Sequence, residues 1–181
     1  MEIKEEEIKG ILSVFPNVFR DDRGYFFESF NKSRYENIIP AMKFLQDNES
    51  SSVKNVIRGL HFQVPPFDQG KLVQVSRGSA LDIAVDIRKS SPSYGKHVKV
   101  LLCSKRKNQL WIPPGFAHGF CSLEDETIFS YRCTNYYSPE HERSILWNDK
   151  TLQIDWEVSE PIISEKDKNG LLFSEFTSPF A

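Results

Sequence analysis

Between Leu81 and Ile87 the chain reads Leu-Asp-Ile-Ala-Val-Asp-Ile, with a branched apolar side chain at every second position. In an extended strand that spacing gathers Leu81, Ile83, Val85 and Ile87 on one face and sets Asp82, Ala84 and Asp86 on the other. Short strand-like runs recur along the chain, at Ile8 to Val18, Tyr25 to Phe30, Phe44 to Asn48 and Val56 to Gln63. They continue at Lys96 to Leu102, Gln109 to Ile112, Gly119 to Leu123 and Ile128 to Thr134. Leu72 to Ser76 and Ser79 to Ile87 read as a hairpin turning at Arg77-Gly78. Asn31 caps a helix over Lys32 to Ile39 that Pro40 stops, and a second helix is expected near Ser164. Closely spaced strands with Gly, Pro, Asn and Ser turns predict an all-β sandwich or jelly roll with short peripheral helices.

The bulk properties narrow the function classes. A chain of 181 residues, 39% hydrophobic, fits one globular domain over 1–181. Lys and Arg number 23 against 25 Asp and Glu, so nothing global points to nucleic acid or an anionic membrane. A local basic cluster in a cleft could still bind a small phosphate ligand. Cys103, Cys121 and Cys133 form no CxxC pair, which argues for free buried thiols in a reducing compartment. The acidic start, Met-Glu-Ile-Lys-Glu-Glu-Glu, lacks a signal-peptide core, and no apolar run is long enough to span a bilayer. A cytoplasmic protein is expected.

Val56-Ile-Arg-Gly-Leu-His61-Phe-Gln63 is the segment where chemistry concentrates. An imidazole is a costly choice in an apolar strand unless it is satisfied or used. Gln69-Gly-Lys71 follows, and Trp111-Ile-Pro-Pro-Gly-Phe-Ala-His118 supplies a rigid turn before a second histidine. A metal site is disfavoured: Gln63 stands where a second imidazole would be needed, and His97 and His141 have no matching spacing. No G-x-S-x-G, G-x-G-x-x-G or Walker sequence occurs. Tyr131 shares a strand face with Phe129 and Cys133, as a core aromatic would. Asp167 reads as the acidic third residue of a helix behind a Ser164 cap. Strict alternation puts Arg58 on the opposite face from His61, so a common site needs a bulge, a strand end near Gly59 or a long reach of the Arg58 side chain.

Taken in order, several blocks resemble the dTDP-4-dehydrorhamnose 3,5-epimerase family. They are Asp22-Arg-Gly-Tyr-Phe-Phe-Glu28, Gln46-Asp-Asn48, Ile57 to Gln63, Gln69 to Lys71, Asp82 to Asp86 and Ser91 to Gly95. Gln109 to Phe120, Tyr136 to Arg143, Trp147-Asn-Asp149 and Ile154-Asp-Trp156 complete the series. The resemblance implies a cupin-type jelly-roll β-sandwich, a homodimer, a sugar-nucleotide substrate, and epimerisation with neither metal nor organic cofactor. It also implies roles. His61 is similar to the family's general base, Asp167 to its paired carboxylate, Tyr131 to the acid across the sugar, and Lys71 to the cation at the keto oxygen. Arg58 and His118 match residues near the sugar. Arg23, Phe26, Glu28, Gln46 and Asn48 resemble the nucleotide and pyrophosphate site, some of it crossing from a partner subunit. Tyr137 matches an aromatic packed on the base. Asp82 stands as a rival partner for His61. The family default is dTDP-4-dehydro-6-deoxy-D-glucose inverted at C3 and C5. Members that act at one carbon or on GDP-linked 4-keto heptoses for capsule stay open, as do a keto-sugar isomerase and a non-catalytic binding module.

Overall fold

The computed structural model describes residues 1–39 and 43–181. The N-terminal part runs β1 (Glu2–Glu5), β2 (Leu12–Phe15), β3 (Val18–Asp21), β4 (Gly24–Phe27) and α1 (Lys32–Glu36). The body follows with β5 (Gln46–Ser52), β6 (Val56–Gln63), β7 (Lys71–Arg77), β8 (Ser79–Asp86) and β9 (His97–Cys103). After these come β10 (Gln109–Ile112), β11 (Phe116–Ser122), β12 (Thr127–Cys133) and β13 (Glu142–Ser144). A C-terminal segment adds β14 (Ile162–Ile163), α2 (Glu165–Lys168) and a short 3-10 turn at Phe173–Glu175. One sheet has the order β1-β2-β10-β7-β12-β5 and faces a second ordered β13-β6-β11-β8-β9, with β14 added beside β6. β3 and β4 pair only with each other, as a separate ribbon. The result is the cupin-type jelly-roll sandwich with short helices.

Side-chain alternation divides the apolar residues into three layers. Between the sheets, Val73, Val75, Leu110, Ile112 and Phe129 meet Ala80, Ala84, Leu102, Phe116 and Phe120. Phe120 and Phe129 stack with ring centroids 4.0 Å apart and planes 2° from parallel. On the outer face of the second sheet, Ile57, Leu60, Phe62, Leu81, Ile83 and Val85 are covered by Ile145, Leu152, Trp156 and Phe173 of the C-terminal segment. The outer face of the first sheet packs Val14, Leu72 and Trp111 against Tyr35 and Ile39 beside α1. Every residue of β8 is therefore buried, although its two faces carry different chemistry. The alternation that starts the sequence reading marks which way each side chain points, not which face is wet.

Several expectations need correction. β7 and β8 do not form a hairpin: β7 pairs with β10 and β12, and β8 with β9 and β11, in the opposite sheet. Gly78, at φ +76°, packs tightly on Thr127 and carries the chain across the sandwich instead. Both edges of β7 are occupied within its own sheet, by β10 and β12, and the inward faces of β7 and β8 meet across the interior through Val73, Val75, Ala80 and Ala84. The stretch from Ile8 to Val18 is strand only at Leu12–Phe15 and from Val18 onward, while the exposed Glu2–Glu5 pairs as an edge strand. α1 ends at Glu36, short of Ile39, with Asn31 capping it by accepting from the Arg34 N–H. Pro40, the expected stop, lies outside the described residues. Among the described residues no helix is long and apolar enough to cross a membrane.

Candidate active site

The site is built on a bulge between β6 and β11. His61 faces His118 in register, while Arg58 faces Phe120, so Gly59 and Leu60 together oppose the single Gly119. Two against one shifts the alternation by a residue. Ile57, Leu60 and Phe62 point outward into the layer under the C-terminal segment, while Arg58 and His61 both line the inner cavity. Only glycine serves at position 59: its φ is +136°, and a Cβ there would sit 2.5 Å from the Gly119 Cα. The geometry that alternation forbids is thus supplied by one irregularity.

The cavity has a volume of about 560 Å³. His61, Arg58 and His118 form its wall on the second sheet; Lys71 and Tyr131 stand on the first. Asp167, from α2, enters at the rim and places Oδ1 2.5 Å from Nε2 of His61, with Oδ2 3.4 Å from the Gly59 N–H. Ser164 accepts from the Asp167 N–H at 3.1 Å, so the helix cap expected from sequence and the imidazole contact coexist. Burial pushes the Asp167 carboxyl up, but the hydrogen bond and charge of His61, with the Gly59 and Ser164 contacts, hold it below its ordinary value. Asp82 does not reach His61. Its Oδ2 lies 2.9 Å from Nε2 of His118 instead.

Electrostatics on the opposite wall follow from desolvation. Burial lowers the Lys71 pKa, against the pull of Cys133, Asp82 and Glu142. Burial raises that of Tyr131, with Arg58 opposing, so the phenol is protonated near neutral pH. Lys71 Nζ sits 6.0 Å from the Tyr131 ring centroid. An imidazole, a phenol and a lysine amine therefore converge on one space from two sheets. Such a set can move protons on a carbon acid. Among the described residues no three His, Cys, Asp or Glu side chains are placed to hold a metal ion.

A smaller depression of about 210 Å³ continues from the cavity past Gln46, Asn48, Tyr137 and Glu142. Gln46 donates to Asn48 at 2.9 Å and accepts from the Tyr137 N–H at 2.8 Å. Gln63 spends its amide on the 67 and 136 carbonyls and on the Ser138 N–H, fixing the loop that carries Tyr137. Glu142 accepts from the Tyr137 hydroxyl at 2.7 Å and pairs with Lys166 at 2.6 Å. Sequence reasoning missed Glu142 and Lys166, because both sit in charged runs that read as solvated surface. Arg23, Phe26 and Glu28 lie elsewhere in the chain. Arg23 pairs with Asp21, Glu28 binds Arg34 and Asn31, and Phe26 is 70% exposed on the β3–β4 ribbon.

Comparison with known proteins places the chain among relatives of the same fold. A family model described as dTDP-4-dehydrorhamnose 3,5-epimerase matches residues 5–175. The dTDP-4-dehydrorhamnose 3,5-epimerase of Escherichia coli K12 is 51% identical over 177 residues, 97% of this chain and 96% of that one. The Shigella flexneri enzyme of the same description is 51% identical over 174 residues, 96% of each chain. Among solved structures, dTDP-6-deoxy-D-glucose-3,5-epimerase RmlC from Legionella pneumophila, in complex with dTDP-4-keto-L-rhamnose, superposes with a TM-score of 0.95. It is 43% identical and is covered over 98% of its length by 99% of this chain.

Proposed function

The chain belongs to the dTDP-4-dehydrorhamnose 3,5-epimerase family and is an isomerase of the NDP-4-keto-sugar epimerase type, and on that premise we propose that it inverts both C3 and C5 of dTDP-4-dehydro-6-deoxy-D-glucose. The observation that carries this reading is the placement of His61 and Tyr131 on opposing sheets around one cavity. A planar enolate held between two walls meets a base on one side and an acid on the other.

The C4 ketone acidifies the hydrogens on C3 and C5, since either carbanion delocalises onto O4. His61 donates its Nε2–H to Asp167, which leaves Nδ1 as the basic nitrogen. Nδ1 takes the carbon-bound proton, and the electron pair moves onto O4. Asp167 stabilises the imidazolium that forms, and Lys71 donates to the enolate oxygen where charge develops. Tyr131 then delivers its phenolic proton to the opposite face of the carbon; solvent reprotonates the phenolate, and the His61 imidazolium gives its proton up to solvent, which restores the base. A turn or shift of the ring brings the second carbon to the same pair.

The nucleotide lies along Gln46, Asn48 and Tyr137 in this reading. The exposed aromatic ribbon of Phe19, Tyr25 and Phe26 forms part of a homodimer contact and brings Arg23, Phe26 and Glu28 to the partner's nucleotide. Free thiols at Cys103, Cys121 and Cys133 fit a cytoplasmic setting.

The test is solvent exchange. Incubation of the wild-type protein with dTDP-4-dehydro-6-deoxy-D-glucose in D₂O is expected to place deuterium at C3 and C5, read by NMR, and His61→Asn to abolish both. Exchange at a single carbon restricts the activity to that carbon. Faster exchange on a GDP-linked 4-keto sugar would overturn the choice of nucleotide.

A further inference from the structure

The cavity holds a second imidazole–carboxylate pair, which the proton transfers above leave unused. Asp82 is fully buried, its Oδ2 is bonded to Nε2 of His118, and its Oδ1 has no hydrogen-bond partner among the described residues. A buried carboxylate with one oxygen unmatched destabilises a fold. Its neighbours on the inward face of β8, Ala80 and Ala84, belong to the apolar core, so packing does not call for a charge at position 82. Burial lowers the His118 pKa, outweighing Asp82, and Lys71 and His61 press in the same direction. The ring is therefore neutral near pH 7. With Nε2 against a carboxylate its proton sits on that nitrogen, and Nδ1 keeps the lone pair. Nδ1 has no protein partner among the described residues, and His118 lines the cavity.

We propose that Asp82 is a positioning residue that fixes His118 in the Nε2–H tautomer, so that its bare Nδ1 accepts a hydrogen bond from a sugar hydroxyl. This rests on the sugar-nucleotide reading above. The cavity is then polarised, with Lys71 and Arg58 presenting donors suited to a ketone oxygen and His118 an acceptor suited to a hydroxyl. A ring seated the wrong way sets its carbonyl against Nδ1, lone pair to lone pair. Asp82 thereby helps keep the sugar carbonyl on the Lys71 side of the cavity while C3 and C5 are handled in turn.

Nitrogen-15 NMR of the ligand-free wild-type protein at pH 7 reads the tautomer, with His118→Phe identifying the signals. A protonated Nε2 and a bare Nδ1 are expected; a proton on Nδ1, or on both nitrogens, overturns the proposal. That result would leave deuterium exchange untouched, so the two readings fail separately. Asp82→Ala is expected to lower kcat/KM about ten- to a hundredfold, and Asp82→Asn, which keeps a carbonyl acceptor, to recover most of the loss. In the His118→Phe background Asp82→Ala should cost nothing further. Equal losses for the two substitutions, or additive losses in that background, overturn it. Should Asp82→Ala fail to fold, the wild-type tautomer and the activity of Asp82→Asn decide.

Discussion

Replacing Asp167 with Asn isolates what a negative charge contributes to proton abstraction. The amide keeps the size of the side chain and can still accept from Nε2 of His61, so the ring stays oriented. What disappears is the attraction between the carboxylate and the imidazolium formed as the carbon acid gives up its proton. Two unit charges about 4 Å apart interact by about 4 kcal/mol at an effective dielectric constant of about 20. That value suits a pair in which Asp167 is 3% exposed and His61 28%. If the imidazole carries roughly half of its final charge in the transition state, about 2 kcal/mol is lost, or roughly thirtyfold in rate. Full charge development sets the upper end near a thousandfold. The assay is the initial rate of deuterium incorporation at C3 and C5, followed by NMR under kcat/KM conditions. Calorimetric binding of dTDP serves as the control, because Asp167 does not line the depression formed by Gln46, Asn48 and Tyr137. A change of less than about threefold, with dTDP binding and Tm retained, would refute the electrostatic account of the pair.

Tyr131→Phe removes the acid but leaves the base, so deuterium exchange should persist while inversion falls about a hundredfold or more, separable by comparing label uptake with product stereochemistry. Gly59→Ala places a methyl against the Gly119 backbone at a φ that side chains avoid; about 3 kcal/mol of destabilisation, a fall of roughly 6–12 °C in Tm, is expected by calorimetry. Burial raises the Asp86 carboxyl, but Arg88, Ser91 and Ser93 outweigh it and hold the pKa at about 2. Because the folded value lies below the unfolded one, the stabilisation is present above about pH 4 and lost as pH falls toward 2. Unfolding free energies of wild type and Asp86→Asn from urea titration should therefore draw together by about 2 kcal/mol across that window, and a constant gap would disprove the linkage.

The strands and their inward side chains were largely legible, because a period of two is a local property and the polar exceptions stand out against it. His61 stands out that way, whereas Lys71 and Tyr131 take their proposed roles from the family resemblance. Partner choice was not legible. Arg77-Gly78 has local hairpin chemistry, yet the layers on both faces of β7 decide where it goes. The bulge is legible only as one of three ways to bring Arg58 and His61 together, since Gly59 signals freedom and not the register of β11 opposite. Glu142 falls in the matched Tyr136–Arg143 block without a chemical signal of its own, and its place at the site follows from the pairing of β13 with β6, where it stands across from Gln63. The rivalry between Asp82 and Asp167 turned on three-dimensional distance alone, and each carboxylate has its own imidazole.

Asp167 reaches His61 from 106 residues farther along, on the segment that also roofs the second sheet. On a ribosome, every strand of the two main sheets emerges before that carboxylate does. The segment that covers Ile57, Leu60 and Phe62 also delivers the partner of His61, so roofing the second sheet and completing the pair are one event. Proteolytic trimming behind Ser144 should accordingly silence the enzyme at the same stroke that bares its greasy flank, leaving no interval in which a frayed molecule keeps turning over.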